Sequence, residues 1–455
     1  MVRTEALFFL VLGLSFILLL NWRNCIKVAF FLVVIEGAIR KWFLPSVSEF
    51  VYFAKDIVVL IAYAKYFTYS ERRPLYSKMD DLLHFIVVLA AGFCILQIFN
   101  WNSGSIIVGV VGARNYLLYL PLMYITRDLF RNQEELAHFL RYYLLLSIPM
   151  FILAMVQNAM PANHWINIYA GTEMGVSHGY IGDAVRVTGT FSYIAGYASY
   201  LLTSATLIIP LLIVRHPFVW RVLFFVIMLS IVAGIMMTGS RGPMIGLTIF
   251  IIGYFIFNKA IYQLGLYSRL AIPVALCFLG LSLWFSPLLW AYIGRFGTGN
   301  DLGERVYAML LYPFNFMQYS GLIGFGVGTT YQAVDFLRNF MSLPPGTTIP
   351  IFYESEPERV MLELGPIGFA IWYSLRLRIT YCLWKVYHQL TIPLFRELAL
   401  TAFLLHLIAF PGQVVFQVTF LFYYWFTAGF IVLLPQLELL ELQRRASQQA
   451  AEKIT

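Results

Sequence analysis

An arginine interrupts apolar sequence in TGSRGP at residues 238–243. The glycines and the proline predict a tight turn, which would place the guanidinium of Arg241 at the edge of the apolar stretch. A guanidinium is a planar fork that donates paired, charge-assisted hydrogen bonds and keeps its proton, so it suits a diphosphate. A charge is costly in apolar surroundings, so we expect Arg241 to be paired or to bind a ligand. Snorkelling to lipid headgroups is the alternative.

Three glutamates lie close together in YESEPER at residues 353–359. Neighbouring acids and desolvation can make a carboxylate more basic, so Glu354 or Glu356 could take a proton from an attacking hydroxyl. The alternative is a structural role, because acids complement the N-terminal dipole of a helix and Pro357 suits a first turn. Neither interpretation needs a metal or another cofactor, and the chain contains no DxD or HExxH motif.

The elements that must position these residues are strongly apolar. Of the 455 residues, 60% are hydrophobic and 12% are charged, whereas soluble domains carry about 25% charged residues. We therefore predict an all-α polytopic membrane protein, because a bilayer core takes about 20 apolar residues per helix. Apolar runs predict about 12 or 13 transmembrane helices near residues 6–20, 27–44, 49–67, 82–100, 105–125, 139–157, 190–213, 220–238, 243–258, 270–290, 360–376, 394–411 and 416–435.

The formal charge of +8 reflects basic residues in short loops, which indicates membrane topology and not nucleic-acid binding. Basic connections alternate along the chain, so they predict the cytoplasmic side; they lie at residues 127–131, 215–221, 259–269, 376–385 and 444–453. The intervening segments then face outward, and they are 158–189, 240–242 and 291–359. The predicted organisation is a helical bundle (1–290), an outward lid or catalytic loop (291–359), C-terminal transmembrane helices (360–436) and a cytoplasmic tail (437–455).

This topology brings several further polar residues to the outward side. We predict substrate binding by Arg186, Arg295 and Arg359, and by Ser240 beside Arg241, while Glu36 and the pair Lys55-Asp56 lie within early predicted helices. For these three we expect structural intramembrane ion pairs, with a proton pathway as the alternative. The outward histidines His164 and His178 belong to no recognisable motif. The four cysteines show no disulfide or zinc spacing.

Over roughly the last 60% of the chain, the order of motifs resembles the superfamily of O-antigen ligases and Wzy-type O-antigen polymerases, which are bacterial envelope glycosyltransferases. The similar motifs are the SRG turn at 238–242, Glu304-Arg305-Val306, Pro313 with the glycine-rich GLIGFGVG at 321–328, and ELGPIG at 363–368.

The resemblance implies a GT-C-like fold in the bacterial inner membrane, with a periplasmic active face. It implies metal-independent inverting transfer from a polyprenyl-diphosphate-linked glycan, without a cofactor. Arg241 and Arg305 would act on the diphosphate side, and Gly326 and Gly328 would contribute to substrate binding.

One departure bears on the reaction. The ligases carry a His-Asn pair where this chain has Glu354, eleven residues before Gly365. This favours a polymerase, for which a chain-length regulator is an expected partner. A ligase that transfers glycan to a lipid A core, and a flippase for lipid-linked glycans, stay open as alternatives.

Overall fold

The computed structural model describes residues 13, 15, 17–68, 80–170, 179–181, 184–214, 216–258 and 311–452. Most of the helix predicted near residues 6–20 and all of that near 270–290 lie outside the described residues. The same is true of Arg295, Arg305 and His178.

The first half of the chain folds into helices that follow the predicted spans closely. Polar N-caps start several of them: Asn21, Asp80 and Asn132 each accept a hydrogen bond from a main-chain N–H three residues on. The helices are α1 (Trp22–Ala38), α2 (Ser48–Tyr52), α3 (Ala54–Thr68), α4 (Asp81–Gln97), α5 (Ile106–Leu117), α6 (Leu122–Ile125), α7 (Gln133–Leu145), α8 (Ser147–Ala159), α9 (Ile194–Ile213), α10 (Phe218–Thr238) and α11 (Arg241–Phe257). A π-helical turn (Ile39–Phe43) extends α1, and short 3-10 turns lie at Pro45–Val47, Trp101–Ser103, Thr126–Asp128 and Trp165–Asn167.

The described part of the predicted outward segment 291–359 contains short helices, and longer helices follow it. They are α12 (Met317–Ser320), α13 (Val334–Met341), α14 (Glu356–Gln389), α15 (Pro393–Ala409), α16 (Val418–Ala428) and α17 (Phe430–Glu452). A two-residue antiparallel strand pair, Tyr180–Ile181 with Ala184–Val185, lies before α9 in the predicted outward segment 158–189. Helix α17 runs without a break from the last predicted span into the predicted tail.

Five helical stretches in the described part of the chain are long and apolar enough to cross a membrane: Ile106–Asp128, Gln133–Ala159, Ile194–Ile213, Phe218–Thr238 and Val418–Glu452. Shorter apolar helices are Asp81–Gln97 and Arg241–Phe257. The prediction of a helical, multi-pass membrane protein is confirmed at this level. The apolar core is continuous through these helices. In it the ring of Phe30 on α1 packs edge-on against Phe422 and Phe426 of α16.

The described parts of the predicted outward segments meet at one end of the bundle, which we call the loop end. Arg186 hydrogen-bonds Ser240, and residues 191–193 border the same cavity as residues 331–337. The opposite end has its own ion pairs, Lys27 with Glu135 and Arg378 with Asp80. The contacts of the predicted outward segments and those of the predicted cytoplasmic loops therefore lie at different ends of the bundle. The side of the membrane that each faces stays a prediction.

Helix α14 folds back on itself at Gly365. The backbone there has φ 64° and ψ 179°, which is not helical, and Pro366 follows. In a straight helix Glu356 and Arg376 would lie about 30 Å apart, since the rise is about 1.5 Å per residue. Instead a carboxylate oxygen of Glu356 lies 2.7 Å from Nη1 of Arg376. Residues 356–364 thus lie alongside the following stretch and enter the bundle from the loop end.

The glycine-rich stretch 321–328 packs between this re-entrant segment and α4–α5. Gly324, Gly326 and Gly328 have φ of 75°, 94° and 90°, where L side chains are strained. A Cβ on Gly324 would lie 2.5 Å from the carbonyl oxygen of Glu363, and one on Gly328 would lie 2.5 Å from that of Val108. The spacing of these glycines therefore has a structural cause, which is close backbone packing.

Candidate functional site

Arg186 joins the SRG turn, which lies more than fifty residues further along the chain. Its Nε donates to the carbonyl oxygen of Thr238 at 2.9 Å, and its Nη2 donates to Oγ of Ser240 at 2.9 Å. Arg241 is the first residue of α11, directly after this turn, and its side chain is half-buried. The structure thus brings together three predicted site residues, Arg186, Ser240 and Arg241.

The chain that follows Arg186 contacts two further cations. Nζ of Lys41 donates to Oγ1 of Thr188 at 3.0 Å and to the carbonyl oxygen of Gly189 at 2.8 Å. Nη1 of Arg40 donates to Oγ of Ser192 at 3.0 Å. Residues 186–192, which we call the basic strap, therefore contact a row of positive charges at the loop end. Sequence reasoning missed Arg40 and Lys41, although two adjacent cations inside the predicted span 27–44 were a signal.

Arg40 belongs to a cluster of three cations around the ring of Tyr52. The distances to the ring centroid are 4.9 Å from Cζ of Arg40, 4.5 Å from Nζ of Lys55 and 4.8 Å from Cζ of Arg114. Each lies within the range of an attractive cation–π contact. These residues come from the turn after α1 and from α2, α3 and α5, so sequence reasoning could not place them together.

Two carboxylates balance part of this charge. Glu36 forms an ion pair with Lys55 and lies 3.7 Å from Nη1 of Arg40. Asp56 accepts from Nε of Arg114 at 2.7 Å, and Tyr119 also donates to it. The predicted ion pairing is seen for Glu36 with Lys55, while Asp56 pairs with Arg114; a location within the membrane stays a prediction. Glu49 borders the same space as Glu36, Arg40 and Lys55, so the three cations of the cluster face three carboxylates.

A cavity of about 610 Å³ opens beside this cluster, and we call it the Tyr52 cavity. Its charged lining residues are Glu36, Arg40, Glu49 and Lys55. Apolar and aromatic side chains complete the wall: Val33, Tyr52, Phe53, Val111, Phe191, Tyr193, Tyr331, Phe336, Leu337, Phe416 and Val418. The lining combines two acids and two cations with an apolar surface.

A second cavity of about 730 Å³ adjoins the first, and we call it the Glu354 cavity. Tyr331 and Gln332 line both cavities and form the wall between them. The ionisable lining residues of the second cavity are Tyr331, Asp335, Arg338, Tyr353, Glu354 and Arg359. Burial raises the pKa of Tyr331 and of Tyr353. Both phenols therefore keep their protons, and the hydroxyl of Tyr331 donates to that of Tyr52.

The three neighbouring glutamates occupy different environments. Glu354 is exposed and lines the cavity. Glu356 is 1% exposed; one of its oxygens accepts from the N–H groups of Val414 and Val415 at 2.6 Å each, and the other accepts from Arg376. Glu358 accepts from the N–H groups of residues 354 and 355 at 2.9 Å, so it caps α14. This arrangement gives Glu354 access to a ligand and gives Glu356 an anchoring role.

Arg359 closes the floor of the Glu354 cavity. Its Nη2 donates to the carbonyl oxygen of Thr330 at 2.6 Å, and its Cζ lies 3.6 Å from the ring centroid of Phe416. Glu363 holds the loop at Thr330 as well. It accepts a hydrogen bond from the N–H of Thr330 at 2.9 Å and another from the hydroxyl of Tyr116 at 2.9 Å. The fixed guanidinium of Arg359 and the exposed carboxylate of Glu354 therefore line the same cavity.

Other predicted site residues lie elsewhere. Gly328 packs against protein backbone and Gly326 against the side chains of Asn100 and Ser103, and neither lines a cavity. Arg241, Ser240 and Arg186 are also absent from both linings. Arg295 and Arg305 lie outside the described residues. Within the described ranges no three His, Cys, Asp or Glu side chains are grouped as a metal site. Comparisons of the chain with protein-family models and with curated proteins find no match.

Proposed function

We propose that this protein is a membrane glycosyltransferase that polymerises or transfers a polyprenyl-diphosphate-linked glycan. The observation that carries the proposal is the Glu354 cavity. It is an open, polar cavity at the loop end, and it combines an exposed carboxylate with a fixed arginine. It also adjoins a second cavity, and a reaction between two substrates requires two such spaces.

The reaction needs two kinds of group. The acceptor hydroxyl oxygen attacks the anomeric carbon as the bond from that carbon to the diphosphate oxygen breaks, and the electron pair leaves with the diphosphate. The hydroxyl proton goes to a base. We assign this base to Glu354, because the oxygens of Glu356 already accept hydrogen bonds from buried groups. Two hydrogen bonds hold Arg359 to Thr330, so it fixes the cavity floor.

The diphosphate side is assigned to the cluster of Arg186, Ser240 and Arg241, with Arg305 as a further candidate from the sequence resemblance. The guanidinium of Arg186 is anchored at the turn that Arg241 follows, and two guanidinium groups can stabilise the charge that develops on a leaving diphosphate. The basic strap connects this cluster with the Tyr52 cavity. The charge pattern of the loops supports a periplasmic location for the loop end, in the bacterial inner membrane.

Membranes that contain equal amounts of each variant test the base. Glu354→Gln keeps size and hydrogen bonding but removes basicity, so polymer formation should fall about 100-fold or more while lipid-linked donor still binds. Glu441→Gln is the matched control, because Glu441 lies on α17 far from the loop end. Normal polymer formation by Glu354→Gln would remove the carboxylate-base mechanism. Failure of the wild-type protein to join lipid-linked repeats would overturn the proposed function itself.

A further inference from the structure

Helix α13 (Val334–Met341) presents an apolar face away from the protein at the loop end. We infer that this face binds the bilayer surface, where it lies among the lipid headgroups and the first acyl carbons. The inference concerns the position of the predicted outward segment relative to the membrane. It goes beyond the proposed function and holds whichever ligands the two cavities bind.

The first support is the distribution of side chains around α13. Val334 is buried against the bundle, while Asp335 and Arg338 line the Glu354 cavity. Phe336 and Phe340 are 57% and 74% exposed, and their stacked rings lie 5.8 Å apart. A surface helix in water carries its polar residues on the outer side. Here the charged residues line a cavity and the aromatic residues lie outside, which suits an apolar environment.

The second support is the place where α13 is attached. Nη2 of Arg338 donates to the carbonyl oxygen of Ser103 at 3.0 Å, and the N–H of Thr347 donates to that of Asn102 at 2.8 Å. Both acceptors belong to the 3-10 turn shortly before α5, and α13 also contacts α5 itself. Helix α5 begins the stretch Ile106–Asp128, which is long and apolar enough to cross a membrane. The attachment therefore holds α13 at the end of a candidate membrane span.

The third support is the continuity of the exposed apolar surface. Ile106 and Val110 are exposed on α5, and Phe99 and Trp101 are exposed just before it. The bilayer has to cover the exposed apolar side chains of a helix that crosses it. Aromatic residues next to such a helix end lie at the membrane interface, and an amphipathic helix at that level buries its apolar face there. The surface that lipid covers on α5 therefore extends to α13.

This position of α13 determines where the two cavities open. Asp335 and Arg338 line the Glu354 cavity, and Phe336 of the same helix lines the Tyr52 cavity. With Phe336 and Phe340 in the bilayer surface, both cavities open at the level of the lipid headgroups. A ligand can then enter either cavity along the bilayer surface as well as from the water.

A nitroxide spin label on an introduced cysteine tests the position of α13 in the full-length protein in phosphatidylcholine nanodiscs. Molecular oxygen is apolar and concentrates in lipid, whereas a nickel chelate stays in water, so the ratio of their collision rates with the label reports its surroundings. This ratio should be several-fold higher for Phe340→Cys than for Asn339→Cys, and close to that for Val110→Cys. Asn339 is the matched control because it is exposed on the polar side of α13, and exposed Val110 on α5 marks the lipid. The unsubstituted protein reports labelling of native cysteines.

Three contrary results would each overturn the inference. Equal ratios for Phe340→Cys and Asn339→Cys in monodisperse protein would leave α13 in water. Low collision rates with both reagents, together with dipolar broadening between labels, would place a second copy of the chain on this face. A low ratio for Val110→Cys would show that the bilayer does not reach the start of α5. The readout needs no glycan transfer, so its failure is distinct from failure of the proposed function.

Discussion

At the residue scale, Glu354, Glu356 and Glu358 show how neighbouring identical side chains acquire different roles. Their spacing indicated only that acids precede a helix, and it could not separate a base from a cap. The separation arises from contacts distant in sequence, because Arg376 and residues 414–415 engage Glu356 while Glu354 stays open to the cavity. The carboxylate cluster was predictable from the sequence, but the division of roles within it was not.

Glu356→Gln should destabilise the fold far more than Glu354→Gln. The substitution leaves Arg376, which is 2% exposed, without its buried counter-ion. Breaking such a pair costs roughly 3–5 kcal/mol, whereas an exposed carboxylate contributes little. Thermal unfolding of the two variants in the same detergent measures the difference. Equal unfolding temperatures would contradict the anchoring role of Glu356.

Arg241→Lys should impair glycan transfer beyond any loss of protein, because lysine keeps the charge but loses the fork that grips a diphosphate. Arg221→Lys serves as the control, since Arg221 lies on α10 near the opposite end. The readout is glycan chain length at equal protein abundance. Wild-type chain lengths in the Arg241 variant would return this arginine to the role of lipid anchor.

At the element scale, the apolar runs predicted most helix positions because a helix in a bilayer needs only length and hydrophobicity. The run at 360–376 did not reveal that α14 begins at Glu356 and reverses at Gly365. This reversal depends on the positive φ of Gly365 and on the residues against which the re-entrant segment packs. The glycine-rich stretch is a similar case, since its motif was visible while its packing against Val108 and Glu363 was not.

Gly328→Ala should lower the yield of folded protein and its unfolding temperature. A methyl group there combines a strained φ of 90° with a contact of 2.5 Å to the carbonyl oxygen of Val108. Backbone strain of this kind costs about 1–3 kcal/mol before the clash is included. Gly92→Ala on α4 is the matched control, because a Cβ there meets nothing within 4 Å. Size-exclusion profiles and thermal unfolding compare the two, and similar stability would show that the loop accommodates a side chain.

At the scale of the whole molecule, the alternation of basic loops predicted which segments share one end of the bundle. The contact of Arg186 with Ser240 agrees with that sorting. The Tyr52 cluster was not predictable as a unit, because its members come from four separate elements that each carried only one or two isolated charges. Assembly of the bundle creates the Tyr52 cavity, and no single motif encodes it.

The proposed chemistry depends on how the whole bundle is oriented in the membrane. The proposed reaction joins polyprenyl-linked glycans on the outer face, so the loop end must lie there. Ser342 is exposed after α13 at the loop end, and Ser447 is exposed on α17 beyond the last apolar stretch. The described native cysteines, Cys25, Cys94 and Cys382, are buried and should give little background. A membrane-impermeant maleimide applied to intact spheroplasts should therefore label Ser342→Cys at once and Ser447→Cys only after the membrane is permeabilised. The unsubstituted protein reports the remaining background, and the two variants control for each other because both positions are solvent-exposed. The reverse labelling pattern would place the Glu354 cavity in the cytoplasm, where a periplasmic polymerase could not work.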